Sequence, residues 1–284
     1  MKIYLHVNYW EGAGKLGTLF EIAAMNGYDG VELRYKYAFP DMAQEQYQEK
    51  VAALKQQHPD MGIIFGGPVD FMADDRGQVK KDTEAYLEFL EWANRECGTR
   101  VMNFFTGNMI CPGADYMEFD RNGSGMAEES HYGQSAEGLR VVGDKAASLG
   151  MKLALETHNC YLHDLPGACR KLMDLTDHDA VGLNYDHGNI SVNKNGSSIE
   201  EVFDLIGDKI YYVHLKNMLL GRDGLFLATH LDAGHIDTSE VLMRLKDRGY
   251  DGVLTTEYAC TGDGFIAAKR DKEYVDLLTK WLGM

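Results

Sequence analysis

Four ionisable side chains stand where apolar stretches of the chain come to an end. They are Glu156 after LAL, Asp186 after VGLNY, His214 after YYV and Glu257 after GVLTT. Two glutamates, an aspartate and a histidine together offer the oxygen and nitrogen ligands that suit Mn²⁺, Mg²⁺ or Co²⁺ and, less specifically, Zn²⁺. A divalent cation can hold two adjacent substrate oxygens and polarise a carbonyl group. The four residues therefore predict a site for one divalent metal ion, with Mn²⁺ as the first choice.

The apolar stretches belong to an alternation of strands and helices that runs through the chain. Eight strands are predicted: KIYLHV, GVELR, GIIFGG, RVMNFF, LALETH, VGLNYDHG, YYVHLKN and GVLTTEY. Helices are predicted between them, among them residues 42–57, 78–96, 165–175, 199–206 and 239–248. This alternation predicts an α/β fold, a closed (β/α)8 TIM barrel whose active site lies at the C-terminal ends of the strands. No low-complexity tract or linker interrupts the pattern, so we predict a single domain over residues 1–284.

Side chains of a barrel strand point alternately into the lumen and toward the surrounding helices. In the sixth strand the larger apolar residues suit the helix side, which leaves Asp186 in the lumen. The same rule directs a further group of polar side chains inward: His6, Asn8, Glu156, His158, His214, Lys216 and Glu257. His187 falls on the helix side unless the strand has already ended. Glu32 and Arg34 share one face of the second strand, where an ion pair between them is expected.

The composition narrows the range of partners. With 28 basic against 44 acidic residues, the formal net charge is −16. Nucleic-acid binding usually depends on clustered basic residues, so we expect a small molecule and no nucleic acid. No apolar run of about twenty residues predicts a membrane span, so no membrane partner is expected. The N-terminus lacks a signal-peptide pattern and the five cysteines form no CxxC pair, which favours a cytoplasmic protein with reduced thiols.

Several motifs in the sequence resemble those of one known family. They are GYDGVELR at 27–34, LALETHN at 153–159, VGLNYDHGN at 181–189, VHLKN at 213–217, and DAGHID followed by RGYDGVLTTEY up to 258. With these motifs the chain resembles the xylose isomerase-like TIM barrels of the AP endonuclease 2 superfamily. It is most similar to the sugar phosphate isomerase/epimerase group, which includes ketose 3-epimerases, inosose dehydratase and endonuclease IV. The resemblance covers nearly the whole chain.

The resemblance implies roles for the four ionisable residues at the strand ends. In the epimerases the matching residues bind the metal, which implies a metal site at Glu156, Asp186, His214 and Glu257. The two glutamates flank the substrate and exchange protons at a carbon next to the metal-bound carbonyl, through an enediolate. Glu156 and Glu257 are thereby implied to act as base and acid. A carboxylate beside a dication and a desolvated substrate can serve as a general base, which agrees with these roles.

The chain departs from the family pattern at two positions. A histidine near the substrate usually follows the metal aspartate three residues later, and here that position is Asn189, a candidate substrate-binding residue. The second substrate glutamate of the epimerases corresponds to Leu162. His158, two residues beyond Glu156, is expected either to supply the missing acid/base group or to support the site without taking part in the reaction.

Further residues are candidates for binding the substrate. Lys216 stands two residues after a predicted metal ligand, and its ammonium group would either bind a substrate oxygen or pair with a lumen carboxylate. His6 faces the lumen of the first strand, and Trp10 follows it as an aromatic wall for a sugar ring or as an ordinary core residue. The loop over residues 107–130 is long enough to be functional, and it is a candidate lid.

These features favour a metal-dependent isomerase or epimerase of a sugar or related polyol ketone. A metal-dependent lyase in the same barrel is the first alternative: an inosose-type dehydratase, or the subunit of a C-glycoside deglycosidase that acts on a 3-oxo-glycoside. A non-catalytic metal-binding partner subunit is the alternative of another class, and both a homo-oligomer and a hetero-subunit are compatible with the sequence. A nuclease like endonuclease IV is disfavoured, because its three-metal site needs more histidines, including one at Asn189.

Overall fold

The computed structural model describes residues 1–10, 15–36, 42–194, 196–221, 226–257 and 262–284. The strands are β1 Lys2–His6, β2 Gly30–Arg34, β3 Gly62–Pro68, β4 Val101–Phe105, β5 Lys152–Glu156, β6 Val181–Asp186, β7 Ile210–Leu215, β8 Asn217–Leu220, β9 Phe226–Thr229 and β10 Val253–Thr256. The helices are α1 Leu16–Met25, α2 Gln44–Gln57, α3 Arg76–Cys97, α4 Glu129–Ser148, α5 Pro166–Thr176, α6 His187–Ser191, α7 Ile199–Ile206, α8 Thr238–Asp247 and α9 Gly264–Leu282. Tyr258, at the end of the predicted eighth strand, lies outside the described residues, as does Cys260.

Eight strands form a closed barrel in the order β1-β10-β7-β6-β5-β4-β3-β2. The pairing is parallel, as between β1 and both of its neighbours, β10 and β2. With helices between the strands, this architecture confirms the predicted α/β fold and the (β/α)8 TIM barrel. β8 and β9 form a separate antiparallel pair, which the apolar pattern of the chain does not predict.

Packing groups the chain into two compact units. The first unit comprises residues 1–66, 95–99 and 213–284, and the second unit comprises residues 67–94 and 100–212. Each unit contains its own buried apolar residues. One domain over residues 1–284 stays a prediction.

In the first unit, glycines make room for a buried tyrosine. Tyr4 of β1 is paired in register with Gly30 of β2, which is paired in turn with Gly62 of β3. A Cβ atom on either glycine would collide with the ring of Tyr4. Because the two glycines have no side chains, the ring of Tyr4 fits against these strands. It lies two residues before His6, the last residue of β1.

In the second unit, alternate strand residues form an apolar layer. Leu153 and Leu155 of β5 are fully buried. Phe104 of β4 meets Tyr86 of α3 edge to face, with 5.0 Å between the ring centroids. Burying a side chain of this size contributes about 1.5–3 kcal/mol relative to leaving it exposed. Because this layer fixes which face of β5 packs on helices, it also fixes the opposite direction for Glu156.

Two predictions from the composition can be compared with the described residues. None of the helices in the described part of the chain has both the length and the apolar character of a membrane span. Cys97, Cys111, Cys160 and Cys169 are free thiols. A cytoplasmic location stays a prediction.

Candidate metal centre

Glu156 is the last residue of β5, and it is buried. Two side-chain amides donate to its carboxylate: Asn103 Nδ2 lies 2.8 Å from Oε2, and Asn189 Nδ2 lies 3.0 Å from Oε1. Hydrogen bonds to both oxygens favour the ionised form and replace part of the hydration lost on burial. Neutral donors thus orient the carboxylate of Glu156 and compensate in part for its burial.

Asp186 closes β6 and begins α6. Its Oδ1 accepts the backbone N–H of Asn189 at 3.1 Å, which caps the helix. The side-chain amide of Asn189 donates to Oδ2 of Asp186 at 3.1 Å as well as to Glu156. Asn189, which was a candidate for binding substrate, therefore joins two predicted metal ligands. Because the strand ends at Asp186, the alternation of faces does not extend to His187, the first residue of α6.

A pair of buried asparagines orients the donor to Glu156. Asn184 of β6 donates through Nδ2 to Oδ1 of Asn103 in β4 at 3.1 Å. This contact occupies the amide oxygen of Asn103 and so directs its nitrogen to Glu156. Neither asparagine belongs to the predicted metal pattern. Each is a polar residue in an otherwise apolar strand, and that is the signal that could identify it.

His163 holds the backbone of Glu156. Its Nδ1 lies 2.5 Å from the Glu156 carbonyl oxygen, and the Thr106 backbone N–H donates to its Nε2 at 3.3 Å. A ring that accepts at Nε2 and donates from Nδ1 is neutral. Burial lowers the pKa of His163 to about 4, which keeps it neutral near pH 7. The sequence pattern does not reveal this residue, because it lies in a loop beyond the strand.

His158 lies beyond the end of β5, among aromatic side chains. β5 ends at Glu156, so the alternation of faces does not govern His158. Its Nδ1 lies 2.8 Å from the carbonyl oxygen of Asn159. Its ring meets those of Phe105 and Tyr161 edge to face, at centroid distances of 5.7 and 5.2 Å. His158 thus belongs to an aromatic cluster, and its acid/base role stays a prediction.

Glu257 follows β10 and contacts a cation and an amide. Lys216 Nζ lies 3.0 Å from Oε2, and Asn8 Nδ2 donates to Oε1 at 2.8 Å. Burial alone would raise the pKa of Glu257, but the positive charge of the Lys216 ammonium opposes burial, and the pKa is held well below its ordinary value. The carboxylate is therefore ionised. Of the two expectations for Lys216, the structure has the ion pair with a lumen carboxylate.

The imidazole of His214 approaches a carboxylate with each ring nitrogen. Nε2 lies 2.6 Å from Oε2 of Glu32, and Nδ1 lies 3.2 Å from Oε2 of Glu257. A neutral ring that donates its Nε2–H to Glu32 carries a lone pair on Nδ1. A lone pair and a carboxylate oxygen at this distance repel each other unless a proton or another cation lies between them. Glu32 thus makes a short contact with His214, and its expected ion pair with Arg34 stays a prediction.

His6 lies beside the same contact. Its Nδ1 accepts the backbone N–H of Asn8 at 3.1 Å, and its Nε2 lies 3.7 Å from Oε1 of Glu32. Burial lowers the pKa of His6, against the opposing effect of Glu32. Trp10 ends a short 3-10 helix after β1, and its ring lies so close to Gly264 that a Cβ atom there would come within 2.9 Å. Substrate binding by His6 and Trp10 stays a prediction.

The loop proposed as a lid is tied to the chain that follows β5. The Met109 backbone N–H donates to the Cys160 carbonyl oxygen at 2.7 Å. The Ser124 backbone N–H donates to the carboxylate of Asp164 at 3.1 Å. Burial raises the pKa of Asp164 to about 6. These contacts give the loop over residues 107–130 a defined course, and its role as a lid stays a prediction.

The four predicted metal ligands lie close together. One ligand atom from each of them lies within 4.8 Å of all the others: Glu156, Asp186, His214 and Glu257. Three carboxylates at such distances repel one another unless positive charge balances them. The mixed oxygen and nitrogen donors, with the lone pair on Nδ1 of His214, fit a divalent cation such as Mn²⁺ or Mg²⁺. This cluster can therefore bind a metal ion.

Residues 20–282 match the family described as xylose isomerase-like TIM barrel. The match covers nearly the whole chain, and the chain belongs to this family. The match confirms the resemblance that the motifs indicate. It is also in keeping with the closed barrel and with a site at the carboxyl ends of its strands.

Three similar proteins show the range of chemistry on this fold. Inosose dehydratase from Clostridium perfringens is 28% identical over 194 residues, which are 62% of this chain and 63% of that relative, so the chain spans less than two thirds of its length. The D-allulose 3-epimerase from Methylomonas sp. in complex with D-allulose is 16% identical, with a TM-score of 0.76 over 98% of this chain and 96% of that chain. A xylose isomerase-like TIM barrel protein from Mycobacterium smegmatis in complex with magnesium is 17% identical, with a TM-score of 0.75 over 99% of this chain and 97% of that chain. The chain thus shares its fold with proteins named as a sugar epimerase and a magnesium complex, and part of its sequence with a dehydratase.

Proposed function

We propose that the protein is a divalent-metal-dependent isomerase or epimerase of a sugar or related polyol ketone. One observation carries this proposal: the ligand atoms of four residues converge within 4.8 Å, namely those of Glu156, Asp186, His214 and Glu257. This donor set suits Mn²⁺ first, with Mg²⁺, Co²⁺ or Zn²⁺ as other choices. When bound, the metal would polarise a carbonyl group and stabilise the negative charge that develops beside it.

Glu156 and Glu257 are the proposed acid and base. Both side chains accept hydrogen bonds from N–H donors, so each is oriented and can accept a proton. One carboxylate takes the proton from the carbon next to the carbonyl. The other glutamate, which has first taken up a proton from water, returns that proton to the same carbon from the opposite face. This exchange inverts one carbon, whereas return of the proton to the neighbouring carbon isomerises the sugar. In the reverse reaction the two residues exchange roles.

Four residues are proposed to orient the substrate: Lys216, Asn189, His6 and Trp10. Lys216 has three N–H donors, so it can reach a substrate oxygen while it keeps its contact of 3.0 Å with Glu257. Asn189 directs its amide nitrogen to Glu156 and Asp186, which leaves its carbonyl oxygen to accept from a substrate hydroxyl. His158 stays a candidate for an additional acid/base group.

A metal-dependent lyase is the second candidate. The inosose dehydratase from Clostridium perfringens, 28% identical to this chain, favours it. Asn189 in place of the usual histidine of the family also favours it. The first step would be the same proton abstraction beside a ketone. A β-substituent would then leave and take up a proton from Lys216. The proton would go to the hydroxyl oxygen in an inosose-type dehydratase, and to the aglycone carbon in a C-glycoside deglycosidase subunit acting on a 3-oxo-glycoside.

Product analysis distinguishes the two reactions. The Mn²⁺-loaded protein is incubated with free ketoses, then with inosose and 3-keto glycosides, and the products are identified by chromatography and NMR. An epimer or isomer supports the first function, and an unsaturated or released product supports the lyase. Metal binding without turnover of any of these compounds supports a non-catalytic partner subunit.

Two controls test whether the metal site is responsible for the activity. Chelation of the metal and the substitution Glu257→Gln should each abolish turnover. Glu201→Gln is the matched control, because Glu201 is exposed in the capping box of α7 and a glutamine serves equally well there. Activity that survives both chelation and Glu257→Gln contradicts the proposed function.

A further inference from the structure

Glu32 is a fully buried carboxylate that the proposed reaction does not use directly. It lies on β2, and two imidazoles face it. Nε2 of His214 lies 2.6 Å from its Oε2, and Nε2 of His6 lies 3.7 Å from its Oε1. A buried carboxylate is costly unless N–H donors or cations compensate for its lost hydration. The two histidines are placed to provide part of that compensation.

The contact between Glu32 and His214 is a hydrogen bond and not a second metal site. His6, Glu32 and His214 do offer ligand atoms within 4.8 Å of one another. A metal ion with bonds of about 2.1 Å, however, keeps neighbouring ligand atoms roughly 3 Å apart. The distance of 2.6 Å between Nε2 and Oε2 is shorter, and it fits a proton between the two atoms. His214 therefore donates its Nε2–H to Glu32.

His6 is oriented in the same sense. The Asn8 backbone N–H donates to Nδ1 of His6, so the proton of the neutral ring is on Nε2, the nitrogen that faces Glu32. The rings of His6 and His214 meet edge to face at a centroid distance of 5.4 Å. Both imidazoles thus direct an N–H group toward one carboxylate, which restricts their rotation.

We propose that Glu32 is a positioning residue that makes His214 a metal ligand, an inference that rests on the proposed function because it concerns the same metal site. By accepting the Nε2–H, Glu32 fixes the orientation of the ring. It also leaves the Nδ1 lone pair for the metal, on the side where Glu257 lies 3.2 Å away. A carboxylate behind a ligating imidazole raises the basicity of that ligand and adds negative charge near the cation.

Calorimetric titration of Mn²⁺ into the metal-free full chain tests this role without turnover. Glu32→Gln keeps the size of the side chain and removes its charge, so it is expected to weaken Mn²⁺ binding by about 10- to 100-fold. Glu201→Gln makes the same charge change at the exposed end of α7 and should bind Mn²⁺ like the wild type. Equal affinities of the wild type and Glu32→Gln overturn the role of Glu32 and leave the proposed function standing. A wild type that binds no Mn²⁺ overturns the proposed function and this role together.

Two further measurements separate positioning from a general structural effect. Glu32→Asp retains the charge and should recover part of the affinity that Glu32→Gln loses; an aspartate no better than glutamine contradicts the role. Two-bond ¹H–¹⁵N spectra of the metal-free wild type, labelled at histidine nitrogens, do not depend on the folding of any variant. A proton on Nε2 of His214 supports the proposal, and an unprotonated Nε2 overturns it.

Discussion

Glu156 and Glu257 are the same amino acid at equivalent ends of two barrel strands, yet their surroundings differ in charge. Neutral side-chain amides from Asn103 and Asn189 donate to Glu156. Glu257 instead contacts the ammonium group of Lys216. Despite burial, the pKa of Glu257 is held well below its ordinary value, because the positive charge of this cation opposes the effect of burial.

This difference predicts opposite responses to substitution. The amides orient Glu156 and bring no charge that competes with a metal ion, so their loss should weaken metal binding. Lys216 orients Glu257 but also competes with a metal for the same carboxylate, so its loss should strengthen metal binding. Two carboxylates with the same proposed role thus depend on their neighbours in different ways.

The largest effect is expected from the two carboxylates themselves. Glu156→Gln and Glu257→Gln should each lower kcat by on the order of 10³-fold, because each removes a metal ligand and a proton-transfer group. Steady-state kinetics on the substrate found by product analysis measures both variants, with Glu201→Gln as the control. Near wild-type activity in one variant alone would break the comparison, since it would show that a single carboxylate performs the proton transfer.

Asn103→Leu tests whether the amide donors of Glu156 support metal binding. It removes the donor to Oε2 of Glu156 at similar side-chain volume, and Mn²⁺ binding should weaken by about 10- to 100-fold in calorimetry. Asn26→Leu, which changes an asparagine bonded to the Ile22 carbonyl at the end of α1, is the matched control and should bind normally. An unchanged affinity in Asn103→Leu would mean that the amide does not support Glu156.

His163, which contacts the backbone of Glu156, makes the stability of the folded protein sensitive to acid. The unfolded chain binds a proton at His163 with a pKa of about 6.5, whereas burial lowers the folded pKa to about 4. As the pH falls from 7 to 5, the unfolded state therefore takes up a proton that the folded state does not. The free energy of unfolding should fall by about 2 kcal/mol from this residue over that range.

Urea denaturation of the metal-free protein at pH 7 and pH 5 checks this value. Between the two pH values, the free energy of unfolding of His163→Gln should fall by about 2 kcal/mol less than that of the wild type. His131→Gln, which alters a half-buried histidine in the first turn of α4, should keep the wild-type difference. Identical pH dependence in His163→Gln and the wild type would refute the assignment of a buried neutral ring.

Lys216→Met is expected to change Mn²⁺ affinity least of these variants, and to raise that affinity where the others lower it. It removes the ammonium that contacts Glu257, so Mn²⁺ binding should become roughly 3- to 10-fold tighter. Turnover should nevertheless fall, because Lys216 is a proposed substrate-binding residue. Weaker metal binding in Lys216→Met would show that Lys216 serves Glu257 only by orienting it, and the contrast with Glu156 would disappear.

The fold was predictable because its signal repeats along the chain. Each barrel strand is an apolar stretch followed by a helical one, and the helix over 199–206 agrees with α7 at both ends. The hairpin of β8 and β9 was not predictable in this way. Its Leu219 and Leu227 are exposed, so no buried face imposes a period on its sequence.

The site was predictable where a strand ends on a charged residue and not where a loop begins. The alternation of faces selects Glu156, but it gives no direction for His158, because β5 has ended two residues earlier. Glu32 was expected inside the barrel, but its contact with His214 was not predicted, since alternation gives a direction and no distance. His163 approaches Glu156 through the course of a loop, which no local pattern encodes.

The proposed metal site binds one divalent ion, with Asp186 as one of its ligands. Calorimetric titration of Mn²⁺ into the metal-free wild type and into Asp186→Asn tests it most directly, because Asp186 has no proposed part in proton transfer. We expect one Mn²⁺ per wild-type chain and binding at least about 100-fold weaker in Asp186→Asn. Equal affinity and stoichiometry in the two proteins would contradict it.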